Sequence, residues 1–387
     1  MDAAEFKDSP AGTLIPTIEG QAAFVPNPLP PSIDYAAIID PLSDALLAVG
    51  EMNASGRKID NPYLVIRPLQ RLEARLSSAL EGTYTTADAL ALADADENAV
   101  VSEETKEVRN YVRAFDFAEH ALNDLPISNR LIKGIHEVLL AGVQSGRGRN
   151  KRPGEFKDTQ NFIGGRGRLI KNARFVPPPP HESQLAMAEL ECFINREDKQ
   201  GIPPLVEAAL VHYQFETIHP FGDGNGRVGR ILIPILLLER GIIDKPLLFV
   251  SPAIDGHKDR YVDHMLDVSR NGDWTNWLRF FLEIVANSAR NATRTIDRLD
   301  ALRRDYANRI SQSGGSARFT TVAEQLFAKP VISIPQVAQI MGVTYPAAQN
   351  AVRRLSELGI LEEIPSSTQP KRFVAWEVIH ASESWNE

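Results

Sequence analysis

The spacing of apolar residues predicts a mostly helical protein. Between residue 35 and about residue 93, apolar residues recur every three or four positions, as they do on the buried face of a helix. Within this region Glu81-Gly82 gives a helix-end signal, because glycine readily takes the left-handed conformation that closes a helix. Residues 103 to about 300 carry the same helical spacing. The two clearest sets in the first region are Ile38, Ile39, Leu42, Leu46 and Leu47, and then Leu69, Leu72, Leu76 and Leu80.

One stretch within residues 103–300 departs from the helical pattern. Residues 161–176 have short apolar pieces around glycines and are followed by four prolines, which favours a hairpin or flap. This flap is basic through Arg166, Arg168 and Lys171. Those charges suit either an ordinary solvated loop or contact with a nucleotide or a target protein. Because the stretch is glycine-rich, basic and outside the helical pattern, we expect a surface element that binds a ligand or a partner.

The two ends of the chain are predicted to differ from the centre. Residues 1–34 are rich in proline and lack a helical period, so we expect an extended arm, laid on the surface or partly disordered. From about residue 316 the pattern is helix, turn, helix and two short strands at 360–364 and 372–378, which is the order of a winged helix. The predicted fold is mainly α. It comprises an N-terminal arm and helical region (1–100), a core (101–300) and a winged helix (301–387).

Composition indicates a soluble globular protein. Of the 387 residues, 43% are hydrophobic and 24% charged, and the net charge of -8 argues against broad nucleic-acid binding. Cys192 is the only cysteine, which excludes an intrachain disulfide and a cysteine-rich metal site and fits a reducing cytoplasm. The N-terminus has no signal-peptide pattern, and the most apolar stretch, 231–238, is too short to span a bilayer. We expect a cytoplasmic protein without a membrane partner.

The segment from His219 to Arg230 carries the candidate chemistry. Residues 203–218 are predicted as one helix, which ends at His219 because the following proline disfavours the helical conformation. Three glycines then lead into a second helix near Arg227, and a glycine-rich turn before a helix N-terminus is an anion site. Arg227 and Arg230 lie three residues apart on one face, where two guanidinium groups can hold two phosphates.

Asp223 and His219 add a metal ligand and a base to this anion site. Mg²⁺ prefers one or two carboxylates together with phosphate oxygens, so Asp223 is a natural link between the metal and the protein. His219 lies at the mouth of the loop, and a histidine can accept a proton from an attacking hydroxyl near neutral pH. Together these groups predict phosphoryl or nucleotidyl transfer.

The same run resembles the signature of the Fic family, His-Pro-Phe-x-(Asp/Glu)-Gly-Asn-Gly-Arg-x-x-Arg, at every fixed position. The resemblance implies a helical core, ATP as donor, and transfer of AMP to a Ser, Thr or Tyr hydroxyl of a target protein or of the chain itself. It implies His219 as the general base and Asp223 as the Mg²⁺ ligand. The ATP-binding residues that it implies in this run are Gly224, Asn225, Gly226, Arg227, Val228, Gly229 and Arg230.

The flap at 161–176 resembles a second functional part of the family. In the family this hairpin docks the target by strand addition and covers the nucleotide. Tyr261 lies where relatives place an aromatic of the adenine pocket, although an aromatic at helical spacing is more often a core residue. The flap residues assigned to the ATP site are Asn172, Ala173, Arg174 and Phe175.

A third resemblance lies upstream of the core. Ser77 to Gly82 fits the inhibitory pattern (Ser/Thr)-x-x-x-Glu-(Gly/Asn) of one class of the family. The implied mechanism is that Glu81 pairs with Arg230, takes the place of the γ-phosphate and prevents productive ATP binding. The alternative is a plain helix end with a solvated carboxylate.

Two other functions stay open at this point. A Fic core can serve another reaction, such as removal of AMP, phosphotransfer or use of another nucleotide, although Gly226 stands where the phosphotransferase subgroup has lysine. The chain could instead be a DNA-binding regulator with an auxiliary Fic core. From residue 300 onward, however, nine basic residues face nine acidic ones, a balance that favours protein docking or dimerisation over DNA. The predicted partners are ATP and a target protein, with a homodimer and DNA left open.

Overall fold

A computed structural model describes residues 1–95, 101–143, 152–164, 169–199, 201–365 and 370–383. Within these ranges the protein is mostly helical, as predicted, with two small antiparallel sheets. None of the described helices is both long and apolar enough to cross a membrane. The helices are α1 (Tyr35–Arg57), α2 (Tyr63–Leu80), α3 (Ala87–Ala95), α4 (Glu103–Ala121), α5 (Asn129–Leu139), α6 (Pro180–Ile194), α7 (Pro204–Ile218), α8 (Asn225–Glu239), α9 (Ser251–Asp255), α10 (Lys258–Asn271), α11 (Trp274–Gln312), α12 (Ala317–Ala328), α13 (Ile334–Met341), α14 (Tyr345–Glu357) and α15 (Trp376–Glu383). The strands are β1 (Gly12–Pro16), β2 (Ala22–Pro26), β3 (Val331–Ser333), β4 (Glu362–Glu363) and β5 (Arg372–Val374).

The helix α1 lies along α11 and buries only part of the predicted face. Ile38 and Leu42 are buried, and the buried face continues through Ala45, Val49 and Met52. A helix that leans on one partner buries a stripe roughly 100° wide, so adjacent residues cannot both point into it. The other members of the predicted set are 41–69% exposed: Ile39, Leu46 and Leu47.

The helices α7 and α8 form the centre of the protein. In α7, every residue from 205 to 215 is buried, and in α8 every residue from 225 to 237 is buried. The only charged side chains in that stretch of α8 are Arg227 and Arg230, which belong to the candidate site. Pro234 lies inside α8, which continues beyond it, so the first turn of the helix stays intact as expected.

The helix α2 ends where the inhibitory pattern lies. Its last helical residue is Leu80, Glu81 is the cap, and Gly82 takes a positive φ of 77°. Lys258 donates from Nζ to the Leu80 carbonyl at 2.7 Å, which is a favourable position for a cation because a helix C-terminus is negative. α2 packs against α4, α8 and α9 and also against α12 and α15, so it stands between the core and the C-terminal region.

The first 34 residues are more ordered and more buried than predicted. β1 and β2 pair antiparallel, and the Phe24 amide donates to the Val176 carbonyl at 2.9 Å. Phe24 is fully buried in a cluster with Phe6 and Phe175, whose ring centroids lie 5.7–6.0 Å apart. Because Phe175 and Val176 belong to the flap, this segment supports the flap and is not a surface arm. The prediction gave too much weight to proline, which here stands at the strand ends.

The C-terminal region has the order of elements predicted for a winged helix. α12, β3, α13, α14, β4 and β5 follow one another, and the strand order is β3-β5-β4. Gly342, at φ 63°, ends α13, and Thr344 begins α14. The last strand is shorter than predicted, because the chain turns into α15 at Trp376. The boundary predicted at residue 300 falls inside α11, so no break in the backbone marks it.

The phenylalanine cluster makes a testable link between the N-terminus and the flap. Replacing Phe24 with Ala should lower the free energy of unfolding by about 3–5 kcal/mol, the usual cost of emptying a buried aromatic site. It should also expose residues 161–176 to proteolysis, because the flap loses its packing partner. Urea denaturation and limited proteolysis measure the two effects.

Phe327→Ala is the matched control, since Phe327 is equally buried but lies in α12 against Tyr306. This control should lose similar stability and leave flap cleavage unchanged. Equal cleavage of the flap in both variants would remove the support role of Phe24.

Candidate active site

The loop from His219 to Gly224 joins α7 to α8. His219 takes a left-handed conformation (φ 49°) and is the only non-glycine residue with a positive φ in the described chain. Such a conformation costs about 1–3 kcal/mol and persists where neighbouring groups enforce it. It turns the chain sharply out of α7, so that Pro220 continues into the loop.

Two asparagines hold the loop closed. The Asn225 side chain accepts from the Phe221 amide and donates to the Phe221 carbonyl, both at 2.8 Å. Asn161 donates to the carbonyls of His219 (3.0 Å) and Phe221 (2.9 Å) from the flap side. The loop is thus held from α8 by Asn225 and from the flap by Asn161, which the sequence did not predict as a site residue.

His136 supports the other side of the loop. Its ring stacks on Phe221 with centroids 3.8 Å apart and an interplanar angle of 9°. The Gly154 amide donates to Nδ1, so Nε2 carries the proton and donates to the Asp223 carbonyl at 3.0 Å. The loop backbone is thus fixed before any ligand binds.

The position and the neutral state of His219 suit a proton acceptor. Its Nδ1 lies 3.2 Å from the Glu216 carbonyl, which can only accept, so Nδ1 carries the proton and Nε2 remains the basic nitrogen. Burial, reinforced by the nearby charge of Lys157, lowers the pKa of His219 to about 4. The imidazole is therefore neutral at physiological pH.

Lys157 is an unpredicted neighbour of this histidine. It is buried, and its Nζ donates to Asn161 Oδ1 at 2.8 Å and to the Ile218 carbonyl at 3.2 Å. Burial lowers the pKa of Lys157 to about 7. Its side chain thus tightens the end of α7 and the base of the flap together.

Arg230 is buried, with an exposed fraction of 3%, and the end of α2 surrounds its guanidinium. Nε donates to Ser77 Oγ at 2.8 Å, and Nη2 donates to the Ser77 carbonyl at 2.9 Å and to Glu81 Oε1 at 2.8 Å. Ser77 and Glu81 lie four residues apart and so share one face of the helix. The ion pair implied by the family resemblance is present.

Glu81 sits over the first turn of α8 because that turn carries no side chain at Gly226. A Cβ at Gly226 would stand 2.0 Å from Glu81 Oε1 and 2.8 Å from Arg230 Nη1. Burial alone would raise the pKa of Glu81, but Arg230, Arg227 and His219 outweigh it, so the net shift is downwards. Glu81 is therefore a carboxylate at the helix N-terminus, where an anion is favoured.

Arg227 lies close to two other carboxylates. Its Nη1 lies 3.0 Å from Glu107 Oε2 on α4, and its Nη2 lies 3.6 Å from Asp223 Oδ1. Asp223 Oδ1 also accepts from the Gly224 amide at 2.7 Å, and the Asp223 side chain is 27% exposed. Arg227 and Arg230 thus face different carboxylates in this state, although the sequence predicts that both hold phosphates.

A cavity of about 230 Å³ opens beside this loop. One end is polar and contains Glu81, Gly226 and Arg230, and the other is lined by apolar side chains of the flap and α10. Tyr261 lines the cavity and is held by a 2.8 Å hydrogen bond between its hydroxyl and Nε2 of buried His212. The apolar lining consists of Ile163, Phe175, Val262, Met265 and Leu266.

Comparison with known proteins gives these features a family. The model of the Fic/DOC family matches residues 126–237, and the model of the Fic/DOC N-terminal region matches residues 39–120. The chain belongs to the Fic/DOC family.

Curated relatives and solved structures agree with this assignment. The chain is 32% identical over 149 residues to the protein adenylyltransferase Fic of Culex quinquefasciatus, a match that covers 38% of this chain and 26% of that protein. It is 29% identical over 251 residues to the protein of the same name from Drosophila grimshawi, covering 63% of this chain and 46% of that protein. The chain thus spans about a quarter to a half of the length of these relatives.

Two crystal structures share the fold. A Fic family protein from Desulfovibrio desulfuricans has a TM-score of 0.56 at 20% identity, covering 90% of this chain and 98% of that chain. A Fic domain containing signaling protein from Bacteroides thetaiotaomicron has a TM-score of 0.52 at 18% identity, covering 65% and 96%.

Within this Fic fold, the structure brings together only part of the ATP site that the sequence assigns. Five of the assigned residues line the cavity: Arg174, Phe175, Gly226, Arg230 and Tyr261. The others lie behind its wall, in the loop, in α8 or in the flap, namely Gly224, Asn225, Arg227, Val228, Gly229, Asn172 and Ala173.

Among the described residues of the flap, Ile163 pairs antiparallel with Phe175. Arg166 and Arg168 lie outside the described residues, and Lys171 is exposed. Sequence reasoning missed Lys157, Asn161 and His136 because no motif marks them; each acts on the loop from another element.

The electrostatics of His219 can be checked without any ligand. We expect its imidazole to stay neutral from pH 8 down to pH 5, since its pKa of about 4 lies well below the ordinary histidine value of about 6.5. Two-dimensional NMR of the ring signals, assigned with His219→Asn, follows the titration. A His219 inflection near pH 6.5 would contradict the buried environment described above.

Proposed function

We propose that this protein is an adenylyltransferase that moves AMP from ATP to a hydroxyl of a protein, and that Glu81 restrains it. One observation carries the proposal: a neutral histidine stands beside a helix N-terminus whose buried Arg230 is occupied by a carboxylate from another helix. The relatives named protein adenylyltransferase Fic support the same reaction.

The residues suggest how the transfer proceeds. The phosphates of ATP take the polar end of the cavity, at the first turn of α8 and Arg230, and the base takes the apolar end. The target hydroxyl attacks the α-phosphorus while its proton passes to Nε2 of His219. The bond from the α-phosphorus to the bridging oxygen of the β-phosphate breaks, and diphosphate leaves. The fixed loop supplies donors that need no reorganisation during the reaction.

Mg²⁺ fits the donor set of this loop. The described residues contain no cluster of three or more His, Cys, Asp or Glu side chains that could hold a metal alone. Mg²⁺ keeps waters and binds through one or two carboxylates plus substrate phosphates, a role that the half-exposed carboxylate of Asp223 can fill. When bound with ATP, the ion would neutralise charge on the phosphates.

The restraint by Glu81 is a competition for Arg230. Glu81 Oε1 and a phosphate oxygen of ATP would be alternative partners of the same guanidinium, in a space that Gly226 leaves open. The target protein is expected at the flap, where Ile163 pairs with Phe175 and a further strand could be added.

Removing the base should stop the transfer. His219→Ala should lower the rate of AMP transfer by about 10²- to 10⁴-fold, the usual contribution of a general base. ATP affinity should change little, because the phosphates bind elsewhere in the cavity. Transfer of labelled AMP in single-turnover assays measures the rate, and His181→Ala, at an exposed histidine of α6, is the control. Undiminished transfer by the His219 variant would refute its role as base.

Removing the competing carboxylate should activate the protein. Glu81→Gly should tighten ATP binding by about tenfold to a hundredfold, because a charge-assisted hydrogen bond contributes about 1.5–3 kcal/mol. Self-labelling with AMP should rise with it. Ser78→Ala is a matched control one residue from Ser77, since Ser78 is equally buried and its hydroxyl makes no hydrogen bond among the described residues. No gain in the Glu81 variant would reject the restraint.

A further inference from the structure

A second carboxyl group lines the nucleotide cavity and has no role in the mechanism above. Glu216 lies in the last turn of α7, three residues before His219, and its side chain faces the cavity. Its Oε1 is closed to solvent and makes no hydrogen bond among the described residues. A buried polar atom without a partner costs about 1–3 kcal/mol. The Glu216 side chain also lines the cavity, where a ligand could supply a hydrogen bond to its carboxyl group.

The helix opposite is shaped to admit this carboxyl. A Cβ at Gly229 would stand 2.3 Å from Glu216 Oε1, so any larger residue there would displace the side chain. Gly229 is helical and has no need of glycine for its backbone. Gly226 makes room for Glu81 in the same way one turn earlier. α8 therefore presents two bare positions, and each receives one carboxyl.

The surroundings of Glu216 separate it from Glu81. Glu81 is paired with Arg230 at 2.8 Å, whereas Glu216 has no ion pair within 4.0 Å among the described residues. Burial raises the pKa of Glu216 to about 8, with Arg230 opposing the shift and the charge of Glu81 adding to it. Bound phosphates would replace the negative charge of Glu81 and would likewise raise the pKa of Glu216. A neutral carboxyl can both donate and accept, and it does not repel a polyanion.

We infer that Glu216 is a specificity-determining residue whose carboxyl hydrogen-bonds the nucleoside part of bound ATP. The phosphates have their own site at Gly226 and Arg230, and the base has the apolar end of the cavity. Glu216 lines the cavity together with Thr217 and Tyr261, and we assign the sugar and the polar edge of the base to this part of the wall. This role rests on the proposed function, because it takes ATP as the ligand.

Binding measurements can separate the nucleoside from the phosphates. In the Glu81→Gly background, calorimetry with ATP and with inorganic tripolyphosphate compares the same phosphate site with and without a nucleoside. Glu216→Ala should weaken ATP binding by about tenfold, the worth of one buried hydrogen bond, and leave tripolyphosphate binding within about twofold. Glu216→Gln should keep ATP affinity, since the amide also donates and accepts. Equal losses for both ligands, or no loss for ATP, would overturn the inference.

Gly229→Ala tests the geometry independently. Its Cβ should push the carboxyl aside and weaken ATP binding as Glu216→Ala does, with tripolyphosphate again unaffected. The double variant should be no weaker than Glu216→Ala alone, because the displaced carboxyl is already absent. Additive losses would mean that Gly229 acts through something other than Glu216.

Ligand variation then identifies the contact, and AMP transfer isolates the proposed function. The Glu81→Gly parent and its Glu216→Ala variant are compared for their affinities for ATP, 2′-deoxy-ATP, 3′-deoxy-ATP and GTP. If the parent binds a deoxy analogue more weakly than ATP and Glu216→Ala does not, the contact is to the sugar. The same result with GTP places the contact on the base. If no nucleotide is distinguished through Glu216, the inference fails. A parent that binds ATP but transfers no AMP would refute the proposed function and leave the binding role of Glu216 standing.

Discussion

Arg230 is a guanidinium buried inside an apolar helix, and such a group must always have an anionic or strongly polar partner. The end of α2 supplies that partner here through Ser77 and Glu81. The same requirement explains the glycine at position 226 in the first turn of α8, since a side chain there would keep any anion away from the guanidinium. Under the proposed function, a nucleotide would have to offer Arg230 a better partner than α2 does, so the position of α2 would decide whether the site is open.

The position of α2 is fixed by contacts on more than one side. Glu73, fully buried, accepts hydrogen bonds from the Tyr111 hydroxyl (2.9 Å) and from the amide (3.0 Å) and hydroxyl (2.6 Å) of Ser251. Arg71 donates to the Ala328 carbonyl of α12, and Arg75 pairs with Glu383 of α15. Arg71 and Glu81 are ten positions apart, which corresponds to about 15 Å along a helix. One rigid element therefore carries contacts to the core, to the C-terminal region and to the guanidinium.

Local chemistry explains which parts of this protein could be predicted from its sequence. The ends of α7 and α2 and the anion loop follow from short motifs in which proline, glycine and spacing act over a few residues. The pairing of Glu81 with Arg230 joins distant parts of the chain and was expected only from the resemblance to the family. The buried face of α1 was assigned incorrectly in part, because adjacent apolar residues such as Ile38 and Ile39 carry the same signal until the partner helix is known. The N-terminal hairpin was missed for a similar reason, since its burial depends on Phe175, about 150 residues away in the chain.

The same limit applies to the residues around His219. Lys157, Asn161 and His136 come from separate segments, and only the fold brings them to one loop. These residues act on the conformation of the loop. Together with Asn225 they hold His219 in a left-handed conformation from which its backbone would otherwise relax. For Arg227 the motif predicts the residue but not its contact with Glu107, because Glu107 lies on α4 outside the motif.

The charge around His219 links nucleotide binding to base strength. Burial and Lys157 depress the pKa of the imidazole, and the negative charges of Glu81 and Asp223 oppose them. A base with a pKa of about 4 accepts a proton poorly, so under the proposed function the state with Glu81 on Arg230 would be weak in chemistry as well as in binding. A triphosphate that replaces Glu81 brings more negative charge to the same place and raises the proton affinity of Nε2. On this reasoning the step that admits ATP to Arg230 also strengthens the base that its transfer requires.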